Sequence, residues 1–180
     1  MNRQELDQEL GQAGAEELLR SAHLLRLAYN GPDGLPRVIP IGFFWNGEQI
    51  VICTATTAPK VRALSSRPEV AATIDVGSTP SEAKALLVRG PATVEIVDGV
   101  ADEYLAGSRK TLPPEQVEPF EHAVRAMYPQ MARISIEPQW ARFYDFGAGR
   151  IPSFLSKLAS EADARARASP RVSEARSEVV

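Results

Sequence analysis

Between Cys53 and Arg62 the chain reads C-T-A-T-T-A-P-K-V-R, three threonines ahead of a proline and a lysine. These are the parts of an anion-binding corner. Pro59 suits the first position of a helix, and one of Thr54, Thr56 and Thr57 can cap its start. Backbone N–H groups at a helix start are unpaired and lie at the positive end of the dipole. Lys60 adds a full charge there and Arg62 a second, so the corner can hold a phosphate. Val61 and Leu64 are spaced to face a core, which leaves Lys60 on the outside of the turn. The same residues also describe an ordinary capped surface helix with solvated Lys60 and Arg62. The local pattern does not separate the two.

Other chemistries find less. His23 and His122 lie 99 positions apart on dissimilar segments, and with Cys53 they give no metal-ligand spacing. His23 opens a strand, and His122 shares a charged helical face with Glu118, Glu121 and Arg125. There is no G-x-S-x-G elbow, and Gly147-Ala148-Gly149 lacks the third glycine and the crossover of a dinucleotide site. Cys53 follows Ile50-Val51-Ile52 and reads as a buried strand thiol. As the single cysteine it excludes an intrachain disulfide. Phe43, Phe44, Trp45, Phe143 and Tyr144 read as barrel core and subunit packing. Trp140, just after the break at Pro138, is the exception expected at a pocket.

The elements that must position the corner are strands. After a helical segment over Gln4 to Arg20, split near Gly11 and Gly14, His23–Tyr29 is a first strand. The NGPDG turn leads into a second over Arg37–Trp45. That strand is apolar on both faces, with Val38, Pro40 and Phe44 on one and Ile39, Ile41 and Phe43 on the other. Both faces therefore need cover. Asn46-Gly47 is a strong hairpin signal into Gln49–Thr54. Val70–Val76 and Ala85–Val97 follow, the latter with a bend at Gly90-Pro91. Helices are expected over Val100 to Lys110 and from Pro113-Pro114 to Tyr128. Met131–Ile136 and Gln139–Phe146 read as one long closing strand interrupted at Pro138. From about Ser160 the chain is Ala, Arg, Glu and Ser, which reads as a frayed helix or disordered tail. The fold class is mainly β (α+β): an antiparallel barrel with helices packed at one end. Expected divisions are 1–20, helical; 21–147, barrel, with a helical insert at about 100–128; and 148–180, a partly disordered extension.

The chain has 180 residues, 44% hydrophobic, and a formal net charge of −3. That length suits one domain, and the charge argues against a nucleic-acid partner. No apolar run reaches the length of a membrane helix, and the acidic N-terminus lacks a signal core, so the expected location is the cytoplasm.

The order Leu35-Pro36-Arg37-Val38-Ile39-Pro40-Ile41, the Trp45-Asn46-Gly47 turn, Thr54 followed six residues later by Lys60, and Arg67-Pro68 before Val70–Asp75 resembles the pyridoxamine-5′-phosphate-oxidase-like flavin-binding split barrels. These include deazaflavin-using relatives. The final IEPQWARFYDF resembles their closing strand, and the resemblance covers residues 15 to 147. It implies an antiparallel split barrel, a homodimer with cofactor sites at the interface, and FMN as cofactor, with the deazaflavin coenzyme F420 as the alternative. By resemblance Arg37, Val38, Ile39 and Pro40 flank the ring, Thr54 and Lys60 take the phosphate, and Trp140 approaches from the partner. Thr56 and Arg62 complete the corner. Where the oxidase has Ser-Arg before the lysine, this chain has Ala58-Pro59, which removes two phosphate contacts. The oxidase's C-terminal arginine motif is also missing, so oxidation of pyridoxamine phosphate itself is not expected. The implied function is an oxidoreductase moving hydride to or from a small conjugated substrate, with no side chain required as catalyst. The alternative is a flavin- or haem-binding barrel without turnover.

Overall fold

The computed structural model describes residues 1–168 of the chain. In order they form α1 (Arg3–Leu10), α2 (Ala13–Ser21), β1 (Leu24–Asn30), β2 (Pro36–Gly42), β3 (Phe44–Trp45), β4 (Ile50–Ala55), α3 (Pro59–Ser66), β5 (Glu69–Val76), β6 (Lys84–Asp98), α4 (Asp102–Ser108), α5 (Pro114–Met127), β7 (Gln130–Ile136), β8 (Trp140–Asp145) and α6 (Ser153–Ala168). The barrel is antiparallel throughout, with strand order β2-β1-β5-β6-β7-β4-β3 and β8 on β6. It is a split β-barrel with flanking helices, an α+β fold.

Local sequence explains most boundaries. A capping box starts α1: Asn2 Oδ1 accepts from the Glu5 N–H at 2.9 Å, and Glu5 Oε2 accepts from the Asn2 N–H at 3.0 Å. Gly11 ends it. Gly14, expected as a second breaker, instead lies inside α2. A Cβ there would come within 2.5 Å of Phe143 Cζ, so this glycine lets α2 approach β8. Gly47, at φ +104°, closes the β3–β4 hairpin, and Asn46 Oδ1 accepts from the Glu48 and Gln49 N–H groups.

β6 is 15 residues long and serves both halves of the barrel. Its first part pairs with β5 and β8, and its second with β7. Gly90-Pro91 marks the change. The expectation of one long closing strand is corrected here. β7 pairs with β4 and β6, whereas β8 pairs with the other end of β6. Pro138 cannot donate to a ladder, and it separates them. The Glu137 N–H donates to Pro91 O at 3.1 Å and the Gln139 N–H to Arg89 O at 2.9 Å, so the crossing follows the bend of β6.

Inward-facing Leu25, Leu27, Ile50, Ile52, Ile74, Leu86, Ile134 and Ile136 form the barrel core, with α1 and α2 supplying Leu6, Leu18 and Leu19. β2 divides as its sequence suggests: Ile39 and Ile41 pack against that core, while Val38 is 65% exposed and Pro40 lies beside it on the outer face. On the outer side of β4 and β7, the α4–α5 insert closes a smaller core around Val100, Leu105, Val124 and Met131. α6 continues the helix begun at Ser153 through Ala168. The rest of the expected tail, 169–180, lies outside the described residues. Among the described residues no helix is long and apolar enough to cross a membrane.

Candidate cofactor site at the barrel seam

β2 and the β3–β4 hairpin end the strand path, and among the described residues no backbone ladder joins β2 to β4. The chain steps between these two ends through Phe43, which is buried. A cavity of about 430 Å³ opens along this seam. Ile41 and Gly42 line one lip, Val51, Cys53 and Thr54 the other, and Tyr104, Ser108 and Tyr128 of the insert close the outer side.

The corner sits beside that cavity. Lys60 Nζ donates to Thr54 Oγ1 at 3.3 Å. The lysine is half-buried, and burial lowers its pKa. It takes part in no ion pair among the described residues. The expected threonine cap is absent. Ala58 occupies the N-cap position of α3 with no side-chain bond, and Pro59 follows. Pro59 has no N–H, and the Ala58 and Val61 N–H groups donate to Ala55 O at 3.0 Å and Ala58 O at 2.9 Å, so the lysine side chain is the main donor that this corner offers.

The remaining expected residues are dispersed within the single chain. Thr56 lies half-buried in the turn after β4, and Arg62 is exposed on α3. Arg37 stands at the far end of β2 from the cavity, where Nη2 donates to Asp33 Oδ2 at 3.0 Å. Ile39 belongs to the core side of β2. Val38 and Pro40 are on the outer face of the sheet, as is Trp140. The register Val38–Ala28–Ala71–Arg89–Trp140 places Val38 and Trp140 in one row across five strands, with Pro40 two residues along β2. Arg89 lies over the Trp140 ring at 4.0 Å. Arg67 does not reach the corner: its Nη1 donates to Gly31 O at 2.9 Å and holds the β1–β2 turn.

The cavity floor is chemically quiet. Burial pushes the Cys53 thiol up to about 12, Glu103 adds to the shift and Arg133 opposes it. Burial opposes ionisation of Glu103, but the hydrogen bonds from Arg133 outweigh it and hold the carboxyl below its usual range. Arg133 Nε and Nη2 donate to Glu103 Oε1 at 2.9 and 2.7 Å. No group of three or more His, Cys, Asp or Glu residues is placed to hold a metal among the described residues.

Sequence reasoning missed two features. His23 lines the cavity. Lys110 ties α2 to Phe43, which lines the cavity, donating to Ala22 O at 3.2 Å, Leu19 O at 3.4 Å and Phe43 O at 3.5 Å. These partners are backbone carbonyls, which carry no side-chain signature.

A family profile for pyridoxamine 5′-phosphate oxidase matches residues 12–145. The chain belongs to that family. No curated protein matches it. Among solved structures, an F420 reductase is 28% identical, with a TM-score of 0.55 over 72% of this chain and 97% of that one. A conserved hypothetical protein of Mycobacterium tuberculosis is 20% identical, with a TM-score of 0.57 over 84% and 89%. A heme binding protein of Mycobacterium smegmatis is also 20% identical, with a TM-score of 0.51 over 74% and 55%. The last two likenesses show the oxidase-family fold alone.

Proposed function

We propose that the protein is a homodimeric oxidoreductase that binds FMN, or the deazaflavin coenzyme in its place, along the seam between β2 and β4. The observation that carries this reading is the half-buried Lys60, bonded to Thr54 and without a carboxylate partner, at the uncapped start of α3. A buried ammonium is costly without a counter-ion, and a phosphate supplies one. The donor set suits a phosphate-bearing ring: a cation and a hydroxyl stand next to a cavity with both apolar and polar walls. When bound, such a cofactor supplies hydride chemistry, and the chain supplies orientation and exclusion of water. The exposed face of Val38, in row with Trp140, and Pro40 beside it is the surface proposed for the second subunit. Arg37 and Trp140 would meet a cofactor only in that dimer, since neither lines the cavity of one chain.

A second reading has one observation in its favour. His23, Tyr104 and Tyr128 line the cavity, and His or Tyr can ligate haem iron. The two readings separate in one experiment on the purified full chain. FMN, the deazaflavin and hemin are titrated separately, following fluorescence and the Soret region. Micromolar or tighter binding of FMN or the deazaflavin supports the first reading. A Soret band that His23→Ala abolishes, with no flavin binding, replaces it with the second.

A further inference from the structure

The insert gives the cavity a polar wall that the phosphate corner does not use. Tyr104 on α4 and Tyr128, just beyond α5, both line it and are half-buried. Their rings meet edge to face with centroids 6.3 Å apart, and Tyr104 also stacks on Phe120 at 6.1 Å. Packing therefore fixes both rings. Neither phenol oxygen makes a hydrogen bond among the described residues, while the neighbouring hydroxyls are committed. Ser108 Oγ donates to Tyr104 O at 2.8 Å, and Thr111 Oγ1 to Ser108 O at 3.1 Å. Burial first, then the nearness of Tyr128 and Cys53, raises the pKa of Tyr104, which keeps it a donor near neutral pH.

We propose that Tyr104 and Tyr128 together anchor the carbonyl oxygen of a neutral, planar, conjugated ring in this cavity. Two phenol O–H groups without acceptors among the described residues are available to an oxygen acceptor on a ring that displaces solvent from the cavity. Among the described residues no lysine or arginine lines the cavity, and the single carboxylate that does, Glu103, is held by Arg133, so nothing on this wall favours an anion. Ile41, Phe43, Val51 and Met131 offer apolar surface to the faces of a ring. The inference rests on the reading above, that the seam is a ring site. A ring carbonyl of this kind can belong to the cofactor or to a quinone or enone substrate.

The test uses the full-length apo-protein, its Tyr104→Phe, Tyr128→Phe and doubly substituted forms, and three probes. Riboflavin presents the flavin ring without phosphate, menadione a free quinone, and 2-methylnaphthalene a ring of similar shape without oxygen. Phenylalanine keeps the ring volume, and thermal melting checks that each variant is folded. The double variant is expected to bind riboflavin, menadione or both about tenfold or more weakly, with 2-methylnaphthalene unaffected. Loss confined to riboflavin assigns the anchor to the cofactor ring, and loss confined to menadione assigns it to the substrate. Unchanged affinity for both carbonyl rings overturns the proposal, as does an equal loss for 2-methylnaphthalene. FMN and the deazaflavin titrated on the same proteins separate the two claims. Tyrosine-dependent ring binding without either cofactor leaves the anchor standing and removes the oxidoreductase reading. Normal cofactor binding with no tyrosine dependence for any ring does the reverse.

Discussion

Lys60 Nζ rests 3.3 Å from Thr54 Oγ1, a side-chain hydrogen bond that ties the start of α3 to the end of β4. A threonine hydroxyl does not neutralise an ammonium, so the lysine carries an uncompensated charge at the edge of the seam.

That charge has a pH signature. Burial lowers the Lys60 pKa in the folded state, so the native protein binds fewer protons than the unfolded chain between the lowered value and the ordinary one. The burial penalty is fully present below that window, and stability rises with pH through it. Lys110 is shifted in the same direction by burial, so a variant is needed to isolate Lys60. Lys60→Met is expected to be at least as stable as the wild type at pH 7 and to gain less between neutral and alkaline pH. Its affinity for FMN or the deazaflavin should fall tenfold or more, as a charge-assisted bond of about 1.5–3 kcal/mol is lost. Urea denaturation across pH and a cofactor titration measure both. A destabilised variant with unchanged cofactor affinity would make Lys60 a structural residue.

Glu9 is the counterpart at the other end of the barrel. It is 8% exposed, and accepts from Arg142 Nη1 at 3.0 Å, the Phe143 N–H at 2.9 Å and Arg150 Nη2 at 2.7 Å. This carboxylate joins α1 to β8 and to the loop beyond it. Glu9→Ala strands a buried N–H and separates the two arginines from their acceptor, which should cost about 3 kcal/mol in urea denaturation. A change below about 0.5 kcal/mol would mean that water replaces the carboxylate freely.

The sequence made the barrel legible where local chemistry decides a boundary. Asn46-Gly47 could only be a tight hairpin, Pro113-Pro114 started a helix, and Gly90-Pro91 marked the place where β6 changes partners. It was misleading where a neighbour distant in sequence decides. Gly14 looked like a helix breaker because Phe143, which needs its missing Cβ, comes more than a hundred residues later. β7 and β8 looked like one strand because a single Pro138 separates two strand-like runs. In the site, Thr54 and Lys60 were visible as a pair from their spacing. Lys110 and the tyrosine wall were not, nor, away from the site, was Glu9, since their roles depend on long-range partners. The threonine-rich corner invited a capped helix, yet the cap position fell to Ala58.

Cys53 should be inert in the native protein. With its thiol pushed up to about 12, the thiolate fraction at pH 8 is far below that of an ordinary cysteine. Labelling with iodoacetamide at pH 8 is expected to proceed at least a hundredfold more slowly in buffer than in denaturing urea. Equal rates would show that the cavity exposes the sulfur and that the α4–α5 insert opens readily. The same shift has a stability consequence: above pH 9 the unfolded chain loses this proton while the native state keeps it. Cys53 therefore subtracts stability as pH rises, opposite in sign to Lys60.

Gly90 tests the bend that lets one strand serve both halves of the barrel. A Cβ at this position would lie 1.9 Å from Glu137 O and 3.3 Å from the Gln139 amide nitrogen, both backbone atoms. Neither can swing aside as a side chain tip would, because Glu137 and Gln139 are themselves bonded to Pro91 O and Arg89 O. Replacing glycine by alanine reduces unfolded-state entropy and by itself favours folding by up to about 1 kcal/mol. The clash outweighs that gain, and Gly90→Ala is expected to destabilise by about 3 kcal/mol. Gly42→Ala is the matched control on β2, where the nearest atom to a Cβ is His23 O at 3.7 Å, an ordinary contact. It should leave the denaturation midpoint unchanged or slightly raised. If the two variants prove equally stable, the crossing from β7 to β8 can move away from β6, and the bend is not what fixes the register of the closing strand.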